Sequence, residues 1–285
     1  MSAEGVMTPD TSLDPEDILN SSLETLYDYR PITLSSTGSV FTYVFNSKDS
    51  VLTVTLLTPD THASNWSLHA SSIWASSQYL VDHLNDLHLE SHIAVSSQEK
   101  VRLLELGAGA GLPGIVIAKC HPDISVTVSD YPDEQLMQTL SKNIEINRAS
   151  SNCCAKAYAW GTDPGVLLPF PDTNQTPRLF DVIIAADTLW NSDLHVIFID
   201  SLKKTLRRAS GSRVHLIAGL HTGRYTLQSF LDAVSQAGFE IDFIEERECS
   251  GARKREWDVS RAEQEDEKER RNWLLWFVLK WSSVG

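Results

Sequence analysis

Short apolar runs of strand length alternate with stretches of helical spacing over the C-terminal two thirds of this chain. That alternation predicts a mainly parallel sheet covered by helices, because parallel neighbours need a crossover between them. The runs are Val101 to Leu106, Ser125 to Ser129, Ala155 to Trp160, Asp181 to Ala186, Val214 to Ala218, Phe239 to Ile244 and Trp273 to Trp281. Between them, helical spacing is read at Leu112 to Cys120, at Pro132 to Asn147 with Leu136, Leu140 and Ile144 inward, at 193–208, and at Thr226 to Gln236 before Gly238. The densely charged stretch from Arg253 to Arg271 reads as a solvated loop or short helix.

Ahead of this core the pattern changes period. Phe41 to Phe45 and Val51 to Leu56 alternate like a hairpin turning through Asn46 to Ser50. Ile73 to Leu89 carries Ile73, Trp74, Tyr79, Leu80, Leu84 and Leu87 at helical spacing. The first thirty residues are polar and acidic with little periodicity, as expected of a disordered arm. Three regions follow: an arm over 1–30, a hairpin and helix extension over 31–95, and a core over 96–285.

The first core strand runs into the most informative stretch, Leu104-Glu105-Leu106-Gly107-Ala108-Gly109-Ala110-Gly111-Leu112-Pro113-Gly114. A chain turning sharply from strand to helix needs positive φ, which glycine adopts without a Cβ clash. Bare backbone and the unpaired N–H groups of a helix start also admit a ligand closely. Pro113 suits the first helical turn. Gly109, Gly111 and Gly114 fit the dinucleotide pattern G-x-G-x-x-G. Glu105, Gly107, Gly109 and Gly111 fit E-x-G-x-G-x-G, the S-adenosyl-L-methionine loop, with the acidic residue placed to orient loop and cationic cofactor. Asp130 ends the next strand, roughly 20 residues past the glycines, where a carboxylate reaches a ribose. Both ligands contain a ribose, so Asp130 supports either. About a hundred residues precede the glycine loop, an arrangement more usual for methyltransferases than for dehydrogenases.

Composition narrows the partners. The 285 residues carry a net charge of −14, which repels phosphate backbones and tolerates or attracts a basic protein. Nucleic acid is therefore not expected as a partner. No apolar run nears the roughly 20 residues of a membrane helix, and the N-terminus lacks signal-peptide regions. Cys120, Cys153, Cys154 and Cys249 show no C-x-x-C spacing and read as reduced thiols of a cytoplasmic protein. The nine histidines show no metal-ligand clustering, so no metal is expected.

The quoted landmarks carry a likeness. Ile73-Trp74-Ala75, the glycine loop, Ser129-Asp130-Tyr131-Pro132-Asp133, Trp160-Gly161 and Asp187-Thr188-Leu189-Trp190 resemble those of the seven-strand protein-lysine methyltransferases. Asp130-Tyr131-Pro132-Asp133 followed by Leu136-Met137 is similar to the fungal branch labelled nicotinamide N-methyltransferase-like. That branch includes a methyltransferase acting on the N-terminus and adjacent lysine of translation elongation factor 1-alpha. The resemblance runs from about Trp66 to Trp281. It implies a Rossmann-like seven-stranded α/β fold, S-adenosyl-L-methionine as cofactor, and a monomer that methylates an amine. By position it implies Trp74 near the cofactor's methionine end, Gly107 and its neighbours along methionine and ribose, and Ala186 among the cofactor-binding residues. Asp130 would bind the ribose hydroxyls, with Tyr131 and Trp160 beside the adenine.

The family's substrate signature, Asp-x-x-Tyr or Asp-x-x-Phe, appears here as Asp187-Thr188-Leu189-Trp190, with Asn191 and His195 at matching spacings. A carboxylate can hold an amine while an aromatic face accommodates the alkylated cation. Asp187 is equally placed to cap a helix, a compatible role. His221, Arg224 and Tyr225, beyond the fifth core strand, are either substrate contacts or a structural loop. The leading reading is transfer of a methyl group to a protein amine. A nicotinamide-like small amine, an NAD-dependent oxidoreductase and a non-catalytic cofactor-binding module are the rivals.

Overall fold

A computed structural model describes residues 32–46, 51–61, 63–95, 99–168 and 178–283. The acidic arm expected over 1–30 lies outside the described residues. Val40–Asn46 (β1) and Val51–Leu57 (β2) pair antiparallel, with Tyr43, Val54 and Leu56 buried on their inner face. Ala75–Asp82 (α1) follows, then Leu89–Val95 (α2). The single helix expected from Ile73 to Leu89 is thus broken. Leu84–Leu87 tightens into a 3₁₀ turn that keeps both leucines buried, and His88 reverses the chain at φ +50°.

The core holds Val101–Leu106 (β3), Leu112–Cys120 (α3), Ile124–Asp130 (β4), Glu134–Ile146 (α4) and Cys153–Ala157 (β5). It continues through Val182–Ala186 (β6), His195–Thr205 (α5), Arg213–Gly219 (β7), Arg224–Gln236 (α6) and Phe239–Glu248 (β8). Lys254–Arg255 (β9), Glu267–Arg271 (α7) and Trp273–Trp281 (β10) complete it. The strands form one sheet in the order β5-β4-β3-β6-β7-β10-β8-β9. β3 to β7 are parallel, while β10 runs antiparallel between β7 and β8. The seven expected strands are all present, and β9 is a two-residue addition. Strand order reverses between β3 and β6, which opens a crevice outside the carboxyl ends of the strands.

Two asparagines tie the hairpin to this core. Asn143 on α4 accepts from the Leu57 N–H at 2.8 Å and donates to the Leu57 and Ala110 carbonyls, each at 2.9 Å. One turn later, Asn147 accepts from the Thr55 N–H at 3.0 Å and donates to the Thr55 carbonyl at 2.7 Å. Side-chain amides thereby replace a neighbouring strand along β2, and Asn143 also reaches the glycine loop through Ala110. Asn143→Ala leaves buried backbone groups unpaired, with an expected cost of roughly 3 kcal/mol, or a fall of roughly 6–12 °C in Tm. Thermal denaturation checks this, and a shift within about 1 °C would show that water replaces the amide.

The charged run 253–271, expected as a solvated loop or short helix, does contain the short helix α7 and stays largely exposed, but some of its charges turn inward. Arg224, at the start of α6, is fully buried and grips Glu246 through two bonds of 2.6 and 2.8 Å. Glu265 from the charged run accepts from Arg224 Nε at 2.7 Å and is itself almost fully buried. Arg255 and Arg261 close on Glu246 at 2.7 and 3.0 Å. Charge density alone reads as exposure, but matched guanidinium–carboxylate pairs can be buried once their hydrogen bonds are satisfied.

Candidate cofactor and acceptor cleft

The crevice above the β3–β6 reversal is an open cleft of about 190 Å³. Four core strands and the entry to α1 each deliver a different chemical group to it. Gly107 and Gly109 come from the turn after β3, Asp130 from the end of β4, Trp160 from beyond β5, Asp187 from the end of β6, and Trp74 from the entry to α1.

The glycine turn has the conformation its composition requires. Gly107, Gly109 and Gly111 lie at φ +68°, +53° and +85°. A Cβ on Gly107 would stand 2.7 Å from the Thr188 methyl carbon. On Gly109 it would meet only the Ala70 carbonyl at 3.6 Å, so a longer side chain there would occupy the cleft itself. Gly111 is the N-cap of α3, with Pro113 in its first turn. The cleft therefore has a bare-backbone wall beside a helix start, which fits the nucleoside and amino-acid portions of S-adenosyl-L-methionine.

Asp130 pins that wall. Its Oδ2 accepts from the Gly109 N–H and its Oδ1 from the Tyr131 N–H, each at 2.7 Å. Burial pushes its pKa up against the lowering effect of these two bonds. Each carboxylate oxygen keeps a further lone pair, which leaves capacity for ribose hydroxyls. Tyr131, exposed, and Trp160, packed edge-on against Phe198 at 4.7 Å, both line the cleft.

Glu105 fills the loop-orienting half of its expected role, without facing the cofactor space. It does not line the cleft; it is buried beneath the loop and accepts from the Gly114 N–H at 2.9 Å. Its influence on a bound cofactor therefore passes through the α3 start. Burial raises its pKa to about 8, opposed by the Gly114 bond. A carboxyl raised above its unfolded value stabilises fully below the unfolded pKa, and the effect is lost as pH rises through the folded one. Wild-type stability should therefore fall between about pH 4.5 and 8 by up to about 1.4 kcal/mol per unit on this account. Glu105→Gln, which keeps an acceptor for Gly114, should flatten that slope. Chemical denaturation at pH 5 and pH 8 measures the difference, and parallel slopes in the two proteins would contradict it.

Asp187, also lining the cleft, is held at φ +53°, a left-handed backbone unusual for a residue with a side chain. Its Oδ1 accepts from the Gly219 N–H at 2.7 Å, bracing the end of β6 against that of β7. It does not cap a helix. That role falls to Asn191, whose side chain accepts from the Asp193 N–H at 3.0 Å, outside the cleft lining. Ala186, Asp187, Thr188 and Trp190 all line the cleft.

An arc of rings flanks Asp187. Trp190 meets His69 edge-on at 4.8 Å, and His69 meets Trp74 edge-on at 6.1 Å. Trp74 stacks on His221 at 5.5 Å and 15°. His221 thus supports the wall from behind Trp74. Tyr225 lies outside the cleft lining: the residue is 61% exposed and its hydroxyl bonds to Glu263. His195 is also internal, bonded to the Leu189 carbonyl at 3.0 Å. His69, Thr188 and Tyr158 line the cleft without having been singled out in the sequence. His69 sits five residues before Trp74 in a segment without periodicity, so that proximity was its only signal.

Residues 60–237, more than half of the chain, match the lysine methyltransferase family. The chain is similar to a protein N-terminal and lysine N-methyltransferase of Gibberella zeae, with 27% identity over 232 residues, 77% of this chain and 81% of the relative. A protein of the same description from Neurospora crassa is 31% identical over 156 residues, 50% of this chain and 54% of the relative. Among solved structures, the glycopeptide N-methyltransferase MtfA complexed with S-adenosyl-L-methionine has 9% identity and a TM-score of 0.45, covering 68% of this chain and 87% of that one.

Proposed function

The chain belongs to the lysine methyltransferase family, and we propose that its acceptor is a protein amine, either an N-terminal α-amine or a lysine side chain. It is an S-adenosyl-L-methionine-dependent methyltransferase. The observation that carries the acceptor reading is Asp187, held left-handed in a cleft that Trp190 and His69 also line. The names of the fungal relatives point the same way.

Bound S-adenosyl-L-methionine supplies a sulfonium methyl group open to attack by a neutral amine. The residues of this chain place and desolvate the partners. Gly107 and Gly109 leave room along the wall, and Asp130 offers acceptor lone pairs to the ribose hydroxyls. Trp160 and Tyr131 provide flat faces for the adenine. With Oδ1 committed to Gly219, the second oxygen of Asp187 is the one that can orient the acceptor nitrogen. Trp190 gives the alkylated cation a π face. Most of the acceleration then comes from holding the amine at about 3 Å in a water-poor cleft.

A net charge of −14 favours a basic segment of a protein acceptor. Elongation factor 1-alpha as that acceptor, a monomeric enzyme and a cytoplasmic reaction are the finer parts of this proposal, and they rest on the branch resemblance and on four cysteines without disulfide or metal spacing. The test is to incubate the protein with methyl-labelled S-adenosyl-L-methionine and a cell lysate, then separate proteins from small molecules. Label on a protein N-terminus or lysine, located by mass spectrometry, is expected. Label confined to the small-molecule fraction would favour a nicotinamide-like acceptor instead.

A further inference from the structure

Resting on the protein-amine reading, we propose that His69 accepts the proton of the incoming ammonium group, and that this makes an α-amine a better acceptor than a lysine side chain. Methyl transfer needs a free lone pair on nitrogen, so the proton must leave before attack. Asp187 is poorly suited to take it, because a carboxylate is a far weaker base than an amine and one of its oxygens already holds Gly219. His69 is the imidazole that lines the cleft and also reaches solvent. His221 does not line the cleft; it stacks on Trp74 and lies over Gly219.

The position of His69 is fixed from several sides. Its backbone is left-handed at φ +52°, its carbonyl accepts from Trp74 Nε1 at 2.9 Å, and its ring stands perpendicular to both Trp74 and Trp190. Left-handed backbone at a residue with a side chain is tolerated where surroundings impose it, often at functional sites. The titratable groups sharing the cleft are Asp187 from β6, Asp130 and Tyr131 from β4, and Tyr158 beyond β5. His221 stands behind Trp74, and Asp133 is reached by Asn65 from the turn that precedes His69.

The proton passes from the ammonium nitrogen to an imidazole nitrogen, and the N–H electron pair stays on the amine. That pair forms the new N–CH₃ bond as the C–S bond breaks with its electrons going to sulfur. The imidazolium then releases its proton to water at the cleft mouth. An α-amine is roughly 2.5 units less basic than a lysine amine, so a neighbouring imidazole draws a proton from the first far more readily than from the second. Proton acceptance by His69 is therefore useful for the first and of little help for the second.

The experiment uses the full chain, His69→Asn and His69→Gln; asparagine tolerates the left-handed backbone. Initial rates are measured from pH 6.5 to 9.5 with two peptides. One is basic, with a free N-terminus and no lysine; the other is its N-acetylated twin carrying one lysine. With the free N-terminus, both variants should lose about tenfold or more in kcat at pH 7, with KM within about threefold and cofactor affinity unchanged by calorimetry. The loss should shrink to below about threefold at pH 9.5, where the amine is neutral unaided. On the lysine peptide the loss should stay below about threefold throughout. A loss independent of pH, or one equal on both peptides, would overturn the role of His69. A wild-type protein that binds the cofactor yet methylates neither peptide would overturn the protein-amine reading on which it rests.

Discussion

Asp187→Asn is expected to lower kcat/KM by 10²-fold or more while leaving cofactor affinity within about threefold. Asparagine is the sharper choice over alanine for two structural reasons. It adopts the left-handed backbone that Asp187 occupies at φ +53°, and its side-chain oxygen can still accept from the Gly219 N–H. What it removes is the negative charge facing the acceptor nitrogen. The loss should therefore fall on orientation of the amine, which can contribute several kcal/mol to such a transfer. Asp187→Ala should do at least as much damage, but it also leaves Gly219 unpaired and so mixes two effects. Trp190→Tyr keeps an aromatic face and should retain activity, with a change in acceptor preference. Steady-state kinetics on the acceptor protein checks all three. Near-normal turnover by Asp187→Asn would reduce this residue to a brace between β6 and β7.

The second large effect is expected at Gly109. Gly109→Val should weaken cofactor binding by more than about 10²-fold, because the branched side chain would stand in the cleft and resist φ +53°. The left-handed backbone alone costs a side-chain residue roughly 1–2 kcal/mol, which a domain of this size should survive folded. The Gly109 N–H also donates to Asp130, so a shifted loop would loosen the carboxylate that serves the ribose. Calorimetric titration gives the affinity and circular dichroism the fold. Affinity within threefold of wild type, with an unchanged spectrum, would remove this loop from the binding surface.

The layout of the core was legible because its signals are local. Each parallel strand is a short apolar run, and the glycines of the turn are needed for backbone reasons that leave no alternative residue. Asp130 and Asp187 were legible for a related reason: a polar residue that ends a buried strand is carried to the carboxyl edge of the sheet. Glu105 shows where this logic fails. It sits one residue before the strand end, so its side chain points beneath the loop to Gly114 rather than into the cleft. Asn191 and Tyr225 show a second limit, since lying near the right edge in sequence does not decide which way a side chain turns. Pairing over long sequence separation was invisible altogether. Asn143 with Leu57, Arg224 with Glu265 and His69 with Trp190 join segments whose spacing carries no periodic signal.

The most direct measurement is a crystal structure of the protein with S-adenosyl-L-methionine bound. The ribose is expected against Asp130, the adenine between Tyr131 and Trp160, and the sulfonium methyl directed toward Asp187 and Trp190 at the open mouth of the cleft. A methyl group turned to a closed wall, or a cofactor bound anywhere but this cleft, would contradict the account.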